Sequence, residues 1–141
     1  IFLLLILVTP PYLLLAKKCF LSNKYEVHVI NNLTSDSPHL KIHCASKNDD
    51  LGYHYPAIYE DFNWSFCQPV FGKTLYFCHF WWNLKEKSFI VFNDYQFCVS
   101  DSTIPNPKNN CKWEVRPDGF YLEIHNTTGA SSYMYHYLDW S

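Results

Sequence analysis

Polar and apolar residues alternate along much of this chain. Residues 25–30, Tyr-Glu-Val-His-Val-Ile, place Tyr25, Val27 and Val29 on one side and Glu26 and His28 on the other, the period of a half-buried strand. Residues 39–44 alternate again and end on Cys44. Residues 61–67 form a short aromatic run. Residues 73–82 are longer, with Thr74, Tyr76, Cys78, Phe80 and Trp82 on one face and Leu75, Phe77, His79 and Trp81 on the other. Both faces are largely apolar, so this strand is expected at the centre of a sheet and covered on both sides. Residues 83–87 form a charged turn and 88–95 return, which makes a hairpin. Residues 111–115 and 120–125 flank Arg116-Pro117-Asp118-Gly119, where Pro presets the turn and Gly supplies a positive φ. Residues 133–138 form a last strand. About eight short strands at regular spacing, and no sustained helical period, predict an all-β fold. The expected form is an antiparallel two-sheet β-sandwich stapled by disulfides, with a small closed barrel as the alternative.

The connections are polar: residues 31–38, residues 45–52 with their Ser, Asn and Asp, and residues 100–110 with Pro105 and Pro107. Residues 1–15 are the exception, being almost wholly apolar. They are too short for a spanning helix of ~20 residues and are broken by Pro10-Pro11. The reading is a secretory signal peptide over residues 1–16 that lacks its leading basic region, with cleavage near Ala16. A buried strand and a membrane anchor are the alternatives. Residues 17–141 then form one domain, secreted and extracellular, with no membrane span after signal removal. Three sequons agree with secretion: Asn32-Leu33-Thr34, Asn63-Trp64-Ser65 and Asn126-Thr127-Thr128. Asn32 and Asn126 lie beside turn-like residues. Asn63, between Phe62 and Trp64, is expected to be partly enclosed and bare.

Composition narrows the function. The 141 residues are 48% hydrophobic and 17% charged, enough apolar material to bury a core. The net charge of −2, from 11 basic and 13 acidic residues, gives no support to nucleic-acid binding. Six cysteines in a short secreted chain read as three bridges. No Cys-x-x-Cys spacing suggests a metal, and the even count argues against a free catalytic thiolate. Placing Cys98 just beyond the hairpin partner of Cys78 gives Cys78–Cys98, then Cys44–Cys111 and Cys19–Cys67, one of 15 possible pairings.

No catalytic motif emerges. The seven histidines, His28, His39, His43, His54, His79, His125 and His136, show no His-Glu-x-x-His pattern and read as solvent-facing. There is no Gly-x-Ser-x-Gly elbow and no phosphate-cradling loop, so no cofactor is expected. Asp49-Asp50 is read as a solvated pair rather than a weak cation site. Trp64, Trp81, Trp82 and Trp113 at strand spacing are read as packing residues first and a sugar-binding face second.

Two runs are distinctive: Cys44-Ala45-Ser46-Lys47-Asn48-Asp49-Asp50-Leu51-Gly52 and Thr74-Leu75-Tyr76-Phe77-Cys78-His79-Phe80-Trp81-Trp82. With Cys98, Cys111-Lys112-Trp113, Asp118-Gly119-Phe120-Tyr121 and the opening strand Val27-His28-Val29-Ile30-Asn31, they closely resemble the plant self-incompatibility protein family, the S-protein homologues. The likeness runs from about Cys19 to Tyr121. Cys44, Cys78, Cys98 and Cys111 match the family's usual four cysteines, and Cys19 and Cys67 are additional. The resemblance implies a small secreted plant β-sandwich that is not an enzyme and that meets a receptor-like cell-surface protein. In the founding case, the poppy stigma protein meets a pollen membrane partner and triggers calcium signalling and growth arrest. On such a scaffold recognition is expected in variable loops. Residues 31–38, 45–56 and 100–110 are the candidates, with Asp36, Lys47, Asn48, Asp49, Asp50, Asp101 and Lys108 as their charged and polar contacts. The competing readings are an extracellular hydrolase, which needs a matched acid/base pair, and a wall-glycan or defence module, which needs exposed Trp in a row.

Overall fold

The computed structural model describes residues 19–93, 98–99, 109–126, 128 and 130–140. The signal segment, Asp101, Lys108 and most of the 100–110 loop therefore lie outside the described residues.

Among the described residues, nine strands form two stacked sheets. They are β1 (Lys24–Asn31), β2 (Lys41–Ala45), β3 (Asp50–His54), β4 (Asp61–Cys67), β5 (Tyr76–Trp82), β6 (Lys85–Phe92), β7 (Asn110–Arg116), β8 (Gly119–His125) and β9 (Ser132–Leu138). One sheet runs β4-β1-β7-β8-β9 and the other β3-β2-β5-β6. Pairing is antiparallel except between β1 and β7, which run parallel with Val29 opposite Trp113. The expected antiparallel sandwich is thus realised with one parallel ladder in it.

Alternation makes the core. Tyr25, Val27 and Val29 of β1, and Cys111, Trp113 and Val115 of β7, face Ile42, Cys44, Cys78 and Phe80 of the other sheet. The Trp113 ring is buried, and its Nε1–H donates to the Val91 carbonyl at 3.0 Å, which satisfies the one polar group the ring carries inward. A register shift lies between Tyr76 and Phe77, where β5 meets β6. It brings both Val91 and Phe92 into the core, although neighbours on a strand normally face opposite ways.

Three expectations need correction. First, residues 45–52 are not one loop. Ser46 N–H donates to the Asp49 carbonyl, closing a turn, and β3 follows at once. Gly52, at φ +76, sits where the β2/β3 register slips between His43 and Ala45, a bulge that broke the alternation in the sequence. Second, β5 is interior to its sheet, but only one face is covered. Phe77 remains 41% exposed while Cys78 and Phe80 are fully buried.

Third, the disulfides are Cys19–Cys67, Cys44–Cys78 and Cys98–Cys111. Cys78 does not pair with Cys98, nor Cys44 with Cys111. Cys44 and Cys78 face each other directly across β2 and β5, with Cα atoms 4.0 Å apart. Cys98 lies past the end of β6, where Asn93 N–H donates to its carbonyl, and it meets the start of β7 instead. The hairpin argument failed because β2, not only β6, flanks β5.

Strand directions place the connections at two ends. Residues 32–40, 55–60, 83–84 and 117–118 lie at one end. Residues 19–23, 46–49 and 68–75 lie at the other, toward which all three disulfides are gathered.

Candidate functional site

The anticipated recognition residues fall at both ends. Asp36 lies at the first. Its Oδ1 accepts the Ile58 N–H at 3.1 Å and ties loop 32–40 to loop 55–60. Asn31 reinforces the tie from beneath: its buried side chain donates to the Pro56 carbonyl and accepts from Leu33 N–H. Lys47 and Asn48 stand exposed at the β2–β3 turn, at the opposite end. Asp49 accepts the Tyr76 hydroxyl at 3.2 Å. Burial drives the Tyr76 phenol up to about 12, and the Asp49 charge beside it adds to the rise. Asp50 accepts Gly52 N–H at 2.9 Å and meets His43 Nε2 at 2.7 Å. The backbone bond from Gly52 and then His43 hold its carboxyl below the usual range. The two adjacent carboxylates thus serve separate partners. Among the described residues, no group of three or more His, Cys, Asp or Glu side chains gathers to hold a metal ion.

Imidazoles and carboxylates meet more often than the residue pattern suggests. His28 lies between Asp61 (2.8 Å) and Glu26 (3.1 Å). His43 meets Asp50, His79 meets Glu86, His125 meets Glu123 and His136 meets Asp139. His28–Asp61, His43–Asp50 and His79–Glu86 come together across neighbouring strands, through a register that pattern reading does not supply, whereas Glu26–His28, Glu123–His125 and His136–Asp139 are close in sequence. Ser88 lies opposite His79 across β5 and β6. Serine, histidine and acid are therefore neighbours, but among the described residues only the His79–Glu86 contact forms. A nucleophilic site also needs the hydroxyl bonded to the imidazole.

The outer face of the smaller sheet carries a continuous stack. His79 lies on Trp81 with ring centroids 3.7 Å apart, and His43 lies on Tyr53 at 4.6 Å. The Lys41 ammonium sits between them, 4.7 Å from the Tyr53 ring and 4.8 Å from Trp81. Each such cation–ring contact is worth about 0.5–1 kcal/mol at an exposed site. These rings are thereby partly covered by the protein's own groups, although Tyr53 stays 57% exposed. Of the other tryptophans considered as a glycan platform, Trp113 is buried and Trp64 and Trp82 pack against the core. No exposed row forms among them.

The sequons differ in accessibility. Asn63 is exposed, contrary to expectation, because the alternation of β4 sends Phe62, Trp64 and Phe66 toward the core and Asn63 outward. Asn32 Nδ2, the atom a glycan would occupy, donates to Glu114 at 2.6 Å. Asn126 organises the β8–β9 turn: its Oδ1 accepts from Ala130 N–H and its Nδ2 donates to Ser131 Oγ.

Taken together, two stapled sheets with interlocked polar side chains on their faces and turn clusters at their ends define a disulfide-bonded β-sandwich. The chain belongs to the plant self-incompatibility protein S1 family, whose model matches residues 26–140. Similar proteins from Arabidopsis thaliana include S-protein homolog 5, 35% identical over 96 residues that cover 66% of each chain. S-protein homolog 2 is 36% identical over 90 residues, 64% of this chain and 55% of the relative. S-protein homolog 18 is 29% identical over 101 residues, covering 72% and 71%. The chain thus spans between 55% and 71% of the length of these curated relatives. Members of the family are not known as enzymes.

Proposed function

We propose that this protein is a secreted extracellular signalling ligand for a plant cell-surface protein, acting in self-pollen rejection or a related developmental or defence response. Residues 1–16 serve as the signal peptide, and residues 17–141 are the mature domain. Membership of the S1 family across residues 26–140 is the observation that carries this reading. The two end clusters of turns, one around Asp36 and one around Lys47 and Asn48, supply exposed loop surfaces on a fixed scaffold. The glycan-module reading is weaker, because Trp113 is buried, Trp64 and Trp82 pack against the core, and Trp81 is stacked on His79 beside Lys41.

The test is saturable binding of the labelled, oxidised protein to pollen tubes and other plant cells, with cytosolic calcium recorded at the same time. Binding with a calcium rise in one tissue is the expected result. Exchange of residues 32–38, 46–49 and 100–109, the parts of the candidate segments outside the strands, for those of a relative should abolish binding while the fold is kept. Unchanged affinity after all three exchanges, or no saturable binding to any cell, rejects the ligand reading.

A further inference from the structure

Four large apolar side chains stand in solvent at the disulfide-rich end. Phe20 is 87% exposed, Leu21 88%, Val70 67% and Phe71 90%. They form two consecutive pairs on two loops. Phe20-Leu21 follows Cys19, and Val70-Phe71 follows Cys67 by a short step. The Cys19–Cys67 bond fastens the loops together, and Gln68 N–H donates to the Asn23 carbonyl at 2.9 Å.

Backbone geometry holds each pair at a sharp turn. Leu21 itself has φ 65, and Gly72, directly after Phe71, has φ 85. A leucine in the left-handed region is uncommon and strained. Its side chain is 88% exposed, so among the described residues little packing offsets that strain. Paired exposed apolar residues on neighbouring loops mark a contact surface rather than scattered surface leucines. Exposed Lys24, which lies 3.8 Å from Glu26 in a solvent-exposed ion pair, and exposed Lys73 flank the two loops.

We propose that this end docks peripherally on a lipid bilayer. Phe20, Leu21, Val70 and Phe71 enter the boundary between headgroups and acyl chains, and Lys24 and Lys73 face anionic headgroups. A protein groove would match shape and surround the contact with hydrogen-bonding groups. These four side chains carry no hydrogen-bonding group, and fluid acyl chains take them without a matched shape. The inference goes beyond the receptor reading and does not depend on it.

Flotation of the oxidised protein with phosphatidylcholine vesicles, with and without added phosphatidylserine, tests it. Partition onto the anionic vesicles is expected to exceed that onto the neutral ones. The double change Val70→Ser and Phe71→Ser should lower partition by roughly tenfold or more. Phe20→Ser alone, a second exposed site, should lower it in the same direction. Leu84→Ser should change nothing, because Leu84 is 98% exposed but stands at the opposite end. No flotation of folded protein on either vesicle overturns the proposal. So does partition that survives the double change, that falls equally in Leu84→Ser, or that is indifferent to phosphatidylserine. A dimer seen by light scattering and broken by Phe71→Ser, without vesicle binding, would give the patch to a second copy of the chain.

Discussion

Gly119 shows how closely single positions are set. It opens β8 at φ +148, and a Cβ built there would lie 2.2 Å from the Leu138 carbonyl oxygen and 2.8 Å from His136 Nε2. The carbonyl belongs to backbone and cannot swing aside. Gly119→Ala is therefore expected to cost about 2–4 kcal/mol, from backbone strain and overpacking together, read as a lower urea midpoint. Tyr76 gives a second residue-scale test. Its phenol, held at about 12 in the folded protein, ionises near 10 in the unfolded chain. The stability it contributes is complete below pH 10 and is lost as pH rises toward 12. Ultraviolet titration should show a tyrosine component near pH 12 that disappears in Tyr76→Phe. A component remaining near 12 in that variant would reassign the group.

Among elements, the strands whose side chains alternate cleanly were legible, and β4 was legible to the residue. The β7–β8 turn was legible because Pro and Gly each force one backbone angle. β3 was not, because it is short, follows a turn rich in Ser, Asn and Asp, and carries a glycine at its bulge. Sheet partnership was also hidden, since alternation says which face a residue takes but not which strand lies beside it. That gap produced the wrong cysteine pairing and concealed Lys41 between Tyr53 and Trp81. Pairing across β2 and β5 has its own test: a non-reduced digest should yield a Cys44–Cys78 peptide and none joining Cys78 to Cys98. Removing a bridge should cost about 3 kcal/mol for Cys98–Cys111 and about 4 kcal/mol for each of the other two. The difference follows from sequence separations of 13 against 34 and 48. A larger loss at Cys98–Cys111 than at the others would contradict the loop-closure account.

For the whole molecule, the candidate recognition residues divide between two poles. Asp36 is at one and Lys47 and Asn48 are at the other, separated by the length of a strand, roughly 20–25 Å. One compact partner surface does not readily engage both, so exchanging loops one pole at a time divides the binding measurement. Composition located these loops because turns are polar, but only the strand directions revealed their opposition. The parallel ladder between β1 and β7 carries a different consequence, one for assembly in time. β1 is an interior strand of the five-stranded sheet, yet its β7 neighbour starts at Asn110. A chain still emerging from the ribosome cannot give β1 its second neighbour until residues 110–116 have been made, and the larger sheet is complete only with β9. Until then β1 offers an open edge to any other strand. Such distant pairings fold slowly, over milliseconds to seconds, and leave nascent edges exposed to aggregation. A chain stopped before β7 would keep every strand of the smaller sheet but only β1 and β4 of the larger one to cover it.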